Sequence, residues 1–282
     1  MRVLAILSFV GWVGGTLAGC RTTTPPEPPL HGEPEALPAP KPAPAVAPAP
    51  EPPAPRDDDL VEDDAALLEV LMKSHFGETV LIRRAIIAGD IDAAIPPAEA
   101  IAGLEDEARL PEPWKTRVGE LKAASDRIRQ APDLPEAAAA MADIGKSCAG
   151  CHLELGGPTF DPEPEPVPPA GDLVARMKRH VWASERLWEG LVGPSEAAWR
   201  EGAAALVEGP LPDRALAPGG VHARSLAGRF ATLAHEAKSA TTLEARSDTY
   251  ASLLATCSPC HESVGQPRER FKAPVEPARS LR

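Results

Sequence analysis

The 282-residue chain carries a formal net charge of −12, which argues against nucleic acid and anionic lipid surfaces as general binding partners. The same charge favours protein partners that present a basic docking patch. Only 4% of the residues are aromatic, so a domain of about 100 residues would have a thin hydrophobic core, and many of the 34 prolines lie in a spacer near the N-terminus.

The N-terminal residues have the layout of an export signal. A basic residue precedes an apolar run, 3–13, that is too short to span a membrane. The tetrapeptide Leu-Ala-Gly-Cys that ends at Cys20 resembles a bacterial lipobox, which implies removal of signal peptide 1–19 and lipid attachment to Cys20. We therefore expect a lipid-anchored protein of the bacterial cell envelope that faces the periplasm. The anchor could lie in either the inner or the outer membrane. A plain signal peptide that happens to contain a cysteine is the alternative.

Proline-rich segments divide the remaining chain into two domains of similar size. Residues 20–56 form a Pro/Ala-rich tether, for which we expect extended polyproline-like chain. A Pro-rich linker, 158–169, separates segment 57–157 from segment 170–266, and each is long enough for one domain. A basic tail, 267–282, ends the chain.

Both domain segments end in the same pattern, C-x-x-C-H, and share further features in the same order. Cys148 aligns with Cys257, and Gly119 aligns with Gly228 at the same offset. A Met-Lys-x-His pattern recurs near the start of each segment. The order and spacing predict an internal repeat.

Each segment is expected to be helical, because Ala, Leu, Glu, Lys and Arg dominate and apolar residues recur at helical spacing. Asp133 or Pro135 suits the start of the helix that leads into the first motif. The expected fold is all-α, with two tandem antiparallel four-helix bundles that each bind one c-type haem. The predicted helices span about 58–88, 91–108, 112–131 and 134–154 in the first segment, and about 171–192, 195–208, 219–239 and 242–263 in the second.

The C-x-x-C-H patterns predict covalently attached haem. On a helix the two cysteines lie on one face with the histidine beside them, so two thiols and an imidazole can face one planar ligand. In c-type haem the thiols form thioethers with the vinyl groups and the imidazole binds the iron. Two haem c groups are expected, one bound by Cys148, Cys151 and His152 and the other by Cys257, Cys260 and His261.

Two other chemistries use paired cysteines. A thioredoxin-like dithiol lies at the N-terminus of a helix, where the helix dipole lowers the thiol pKa, whereas both copies here end a helical segment. A zinc site made from four cysteines would require both halves to fold around one ion and would give the two histidines no role. Haem accounts for all six residues.

A four-helix domain with C-x-x-C-H near the end of its last helix resembles the class II cytochromes c, the cytochrome c-prime and cytochrome c-556 group. The resemblance covers 57–157 and 170–266 and depends on the C-x-x-C-H motifs. It implies one haem per bundle. It also implies that a residue of each first helix faces the iron, and this residue is Met72 in the first segment and Met177 in the second.

The residue opposite the motif histidine distinguishes three kinds of site. Methionine ligation by Met72 and Met177 resembles the electron-transferring c-556 type. His75 and His180 lie three residues later on nearly the same face and could supply bis-histidine ligation instead. An open site would resemble the five-coordinate c-prime type, which binds small gases.

The expected function is single-electron transfer between exported redox partners by a membrane-tethered dihaem cytochrome. A gas-binding or gas-sensing haem protein is the alternative. No enzymatic activity is predicted, because the sequence offers no carboxylate pair, Ser/His/Asp set or phosphate loop. A dihaem peroxidase would need one open haem, and no residue is identified for handling peroxide.

Overall fold

The structure is a computed structural model that describes residues 62–103, 110, 112–157 and 166–266. These residues form α-helices and one short 3-10 turn but no β-strand, which confirms the predicted all-α class. The helices are α1 (Glu62–Ala88), α2 (Ile91–Ala102), α3 (Glu112–Gln130), α4 (Leu134–Leu155), α5 (Leu173–Val192), α6 (Glu196–Glu208), α7 (Asp213–Leu216), α8 (Gly220–Ser239) and α9 (Leu243–Ser263).

Several predicted segments lie outside the described residues. These are the signal peptide with Cys20, the tether 20–56, residues 158–165 of the linker and the tail 267–282. Among the described helices, none has the length and apolar character needed to cross a bilayer.

Polar caps set the start of five helices. Asp133 accepts a hydrogen bond from the backbone N–H of Glu136 at 3.0 Å and begins α4, as predicted. Pro135 follows in the first turn, where a helix needs no N–H donor. Equivalent caps begin α2, α5, α6 and α9 at Asp90, Asp172, Ser195 and Thr242.

The helices of each half pack in chain order. In the first half α1 contacts α2, α2 contacts α3 and α3 contacts α4; in the second half α5, α6, α8 and α9 follow the same order. The sequence did not predict α7 or the 3-10 turn at Ala217–Gly219, because four residues are too few to show an apolar period.

The two halves share one hydrophobic core. The motif-bearing helices α4 and α9 pack against each other, α1 packs on α9, and α5 packs on α4. The core residues are continuous across the halves and include many alanines, and the described helices belong to one compact unit. The sequence did not predict these contacts between helices of different halves. Apolar spacing identifies the buried face of a helix but not the helix against which that face packs.

An arginine and two aromatic rings lie where α1, α4, α5 and α9 converge. Arg83 of α1 is buried, forms an ion pair with Glu185 of α5 at 3.3 Å and lies 5.2 Å from the ring centroid of Trp188. Trp188 in turn lies 5.6 Å from Tyr250 of α9, centroid to centroid. On α4, a Cβ added to Gly145 would come within 2.7 Å of the Trp188 ring. These five residues bring the four helices together.

Candidate cofactor sites

The first motif occupies the last turns of α4. Cys148, Cys151 and His152 are half-buried there, and the helix ends at Gly156 with a left-handed φ of 71°. The backbone N–H of Gly157 donates to the carbonyl of His152 at 3.0 Å. A Cβ at Gly157 would lie 2.5 Å from Cδ2 of His152, so the chain turns back tightly over the imidazole and requires glycine there.

The second motif occupies the equivalent turns of α9. Cys257, Cys260 and His261 are half-buried, and the helix continues through Pro259 between the two cysteines. The backbone N–H of Gln266 donates to the carbonyl of His261 at 2.9 Å just beyond the helix. Each motif therefore lies near the end of the last helix of its half, as the sequence predicts.

Each motif histidine contacts the backbone of the other half. His152 forms a hydrogen bond with the backbone of Val192, at the end of α5, and His261 forms one with the backbone of Ile87, near the end of α1. Burial lowers the pKa of both imidazoles, so both are neutral at pH 7 and can act as metal ligands. A backbone partner of this kind fixes the orientation of a ligating imidazole.

The motif thiols are protonated at neutral pH. Burial, followed by the neighbouring motif cysteine, raises the pKa of Cys148 and of Cys257 to about 12. Burial also raises the pKa of Cys151 and Cys260. These four cysteines form no disulfide. A reactive dithiol needs the opposite shift, a lowered thiol pKa, so the surroundings do not favour redox chemistry of the cysteines themselves.

The described residues contain no group of three or more His, Cys, Asp and Glu side chains placed to hold one metal ion. The four motif cysteines are thus not gathered around a single point, as a shared tetrahedral zinc site would require.

The first-helix residues differ between the halves. Met72 of α1 and Met177 of α5 are both half-buried. His180 hydrogen-bonds the carbonyl oxygen of Gly209 at 3.1 Å and stacks on Phe230, with ring centroids 5.1 Å apart.

His75 has different surroundings from its repeat partner. Its side chain is 7% exposed, and neither ring nitrogen has a hydrogen-bond partner among the described residues. Burial lowers the pKa of His75 to about 4.

Sequence reasoning missed Arg83. Burial raises the pKa of Cys257 in the second motif, and the positive charge of Arg83 opposes that rise without reversing it. The available signal was a basic residue on the apolar face of α1, next to buried Ile82 and within one turn of buried Ile86. A charge in such a stripe needs a partner, and here the partner comes from the other half of the chain.

No family model matches the sequence, and no curated protein or solved structure shows detectable similarity to the chain.

Proposed function

We propose that the protein is a membrane-tethered dihaem c-type cytochrome that transfers single electrons between redox partners outside the cytoplasm. The observation that carries this proposal is the recurrence of two half-buried thiols and a histidine in the last turns of both α4 and α9. One copy of C-x-x-C-H has several uses, whereas two copies at equivalent places in a repeat favour one cofactor per half.

The residues present fit a c-type haem. Each protonated thiol would be joined to haem by addition of its S–H across one vinyl double bond, with sulfur on one vinyl carbon and hydrogen on the other, so that no group would leave. Cys148 and Cys151 would hold the first haem, and Cys257 and Cys260 the second. His152 and His261 are neutral and oriented by backbone, as ligating histidines need to be.

When bound, haem supplies a one-electron couple between ferric and ferrous iron. The chain's part is to hold each imidazole, to exclude water with its apolar core and to limit structural change between oxidation states. The sequence favours Met72 and Met177 as the residues that would bind the iron opposite the motif histidines, with His75 and His180 on the same helices as the alternatives. Either pair would close the site, which favours electron transfer over the binding of external ligands.

The proposed setting follows from the N-terminal sequence. Cys20 would carry the lipid, and residues 20–56 would hold the haem domains away from a membrane of the bacterial cell envelope, on its periplasmic side. The negative net charge supports redox partners with basic docking patches and opposes nucleic acid. We propose no enzymatic activity.

The proposal is tested on the full chain after maturation with haem-attachment machinery. Absorption spectra are recorded for the oxidised and reduced protein, with and without carbon monoxide. Electron transfer through closed sites predicts low-spin spectra that carbon monoxide does not change. High-spin spectra that shift with carbon monoxide would replace this proposal with the gas-binding alternative.

A further inference from the structure

His75 is a buried polar side chain whose surroundings do not satisfy it. With 7% of its surface exposed and no partner for either ring nitrogen in the described part of the chain, it lacks the hydrogen bonds that buried imidazoles normally make. Leaving such a group unsatisfied is unfavourable. A metal ion is one partner that satisfies an imidazole nitrogen without a hydrogen bond.

Its repeat partner, His180, is already engaged. The ring is held by the carbonyl of Gly209 and stacked on Phe230. His180 already uses Nε2 for the bond to Gly209, whereas neither ring nitrogen of His75 is used in the described part of the chain. The two halves therefore differ at this position although the Met-Lys-x-His pattern is the same.

The course of α1 indicates which motif His75 serves. Ile87, on α1, contacts the second-motif histidine, and His75 precedes it by about 18 Å of helix rise. His75 therefore lies far from the end of α1 that contacts the second motif. The other motif-bearing helix, α4, also packs on α1, so we assign His75 to the motif of its own half.

Met72 lies one turn before His75 and is half-buried. A thioether sulfur needs no hydrogen-bond partner, so burial of Met72 is satisfied by packing alone. An imidazole in the same region is not satisfied by packing. The contrast favours nitrogen over sulfur at the first site.

We propose that His75, rather than Met72, is the second axial ligand opposite His152, and that the two haem sites are consequently unlike. The inference depends on the proposed function, because it concerns a ligand of the proposed first haem. The second site keeps Met177 as its axial ligand, with His180 remaining bonded to Gly209. One bis-imidazole haem and one histidine–methionine haem are expected in each chain.

The test is electron paramagnetic resonance of the oxidised, haem-loaded full chain, compared with His75→Ala, Met72→Leu and the matched variant His180→Ala. The unmodified protein should show a bis-imidazole signal from half of its haem. His75→Ala should convert that half to a high-spin signal, and added imidazole should restore the low-spin signal. Met72→Leu and His180→Ala should leave both signals unchanged.

Two results would overturn the proposal. One is an unmodified protein in which no haem gives a bis-imidazole signal, a result that does not depend on whether His75→Ala folds. The other is loss of a low-spin signal in Met72→Leu but not in His75→Ala. Both leave the dihaem proposal standing, since haem is still attached, whereas a matured protein without any haem overturns both proposals together.

Discussion

Substituting alanine for Gly145 tests the shared core directly. Gly145 lies on α4 one turn before Cys148, and the added Cβ would come 2.7 Å from the Trp188 ring and 2.8 Å from a methyl of Leu191. Both neighbours belong to α5 and are at most 1% exposed, so neither has room to move. Overpacking of a buried site costs about 1–3 kcal/mol, and two rigid contacts place this site near the upper end.

The better helix propensity of alanine offsets about 1 kcal/mol of that cost. We therefore expect Gly145→Ala to lower the free energy of unfolding by about 2 kcal/mol. The matched control is Gly119→Ala in the exposed face of α3, where nothing lies within 4 Å of the new Cβ and a gain of about 1 kcal/mol is expected. Urea unfolding followed by circular dichroism measures both. Equal stability changes in the two variants would refute the packing of α4 on α5.

Three further predictions concern the cap of α4, the ion pair of Arg83 and the burial of the Cys148 thiol. Asp133→Ala should lower the free energy of unfolding by about 1 kcal/mol through loss of the α4 cap, whereas Asp133→Asn should cost only a few tenths because its side chain still accepts; equal losses would contradict the cap. Glu185→Gln removes the ion-pair partner of buried Arg83, and since Glu185 is itself 52% exposed we expect a loss of about 1 kcal/mol in urea unfolding. Glu112→Gln, which removes the exposed ion pair with Lys115, is the control and should change the free energy of unfolding by less than about 0.5 kcal/mol. If Glu185→Gln cost no more than Glu112→Gln, burial of Arg83 would not strengthen its ion pair. Alkylation of Cys148 in the folded haem-free chain at pH 8 should be about a thousandfold slower than in urea and should rise with pH toward its pKa of about 12; equal rates would contradict the buried thiol.

Local features of the fold could be read from the sequence. The start of α4 at Asp133 and the placement of each motif in the last turns of a helix depend on short-range signals, namely a capping side chain and apolar spacing. Those signals are complete within a few residues. The predicted bounds of α4 and α9 consequently agree with the structure to within a residue or two at each end.

Partners across the two halves could not be read in the same way. The contacts of Arg83 with Glu185 and Trp188, and the hydrogen bond between His152 and the backbone of Val192, join residues far apart in sequence. The Met-Lys-x-His pattern occurs twice in the sequence, but nothing in it indicates that the ring nitrogens of His75 lack hydrogen-bond partners among the described residues. Whether a buried polar group finds a partner depends on the surrounding fold.

Intact mass spectrometry of the matured, acid-denatured chain shows whether haem is covalently attached at the two motifs. Denaturation removes haem that is held only by axial ligands, whereas thioether bonds to Cys148, Cys151, Cys257 and Cys260 survive. Because each S–H addition loses no atoms, we expect a mass that exceeds that of the cleaved, lipid-carrying polypeptide by two haems. The mass of the cleaved, lipid-carrying polypeptide without haem would contradict covalent attachment.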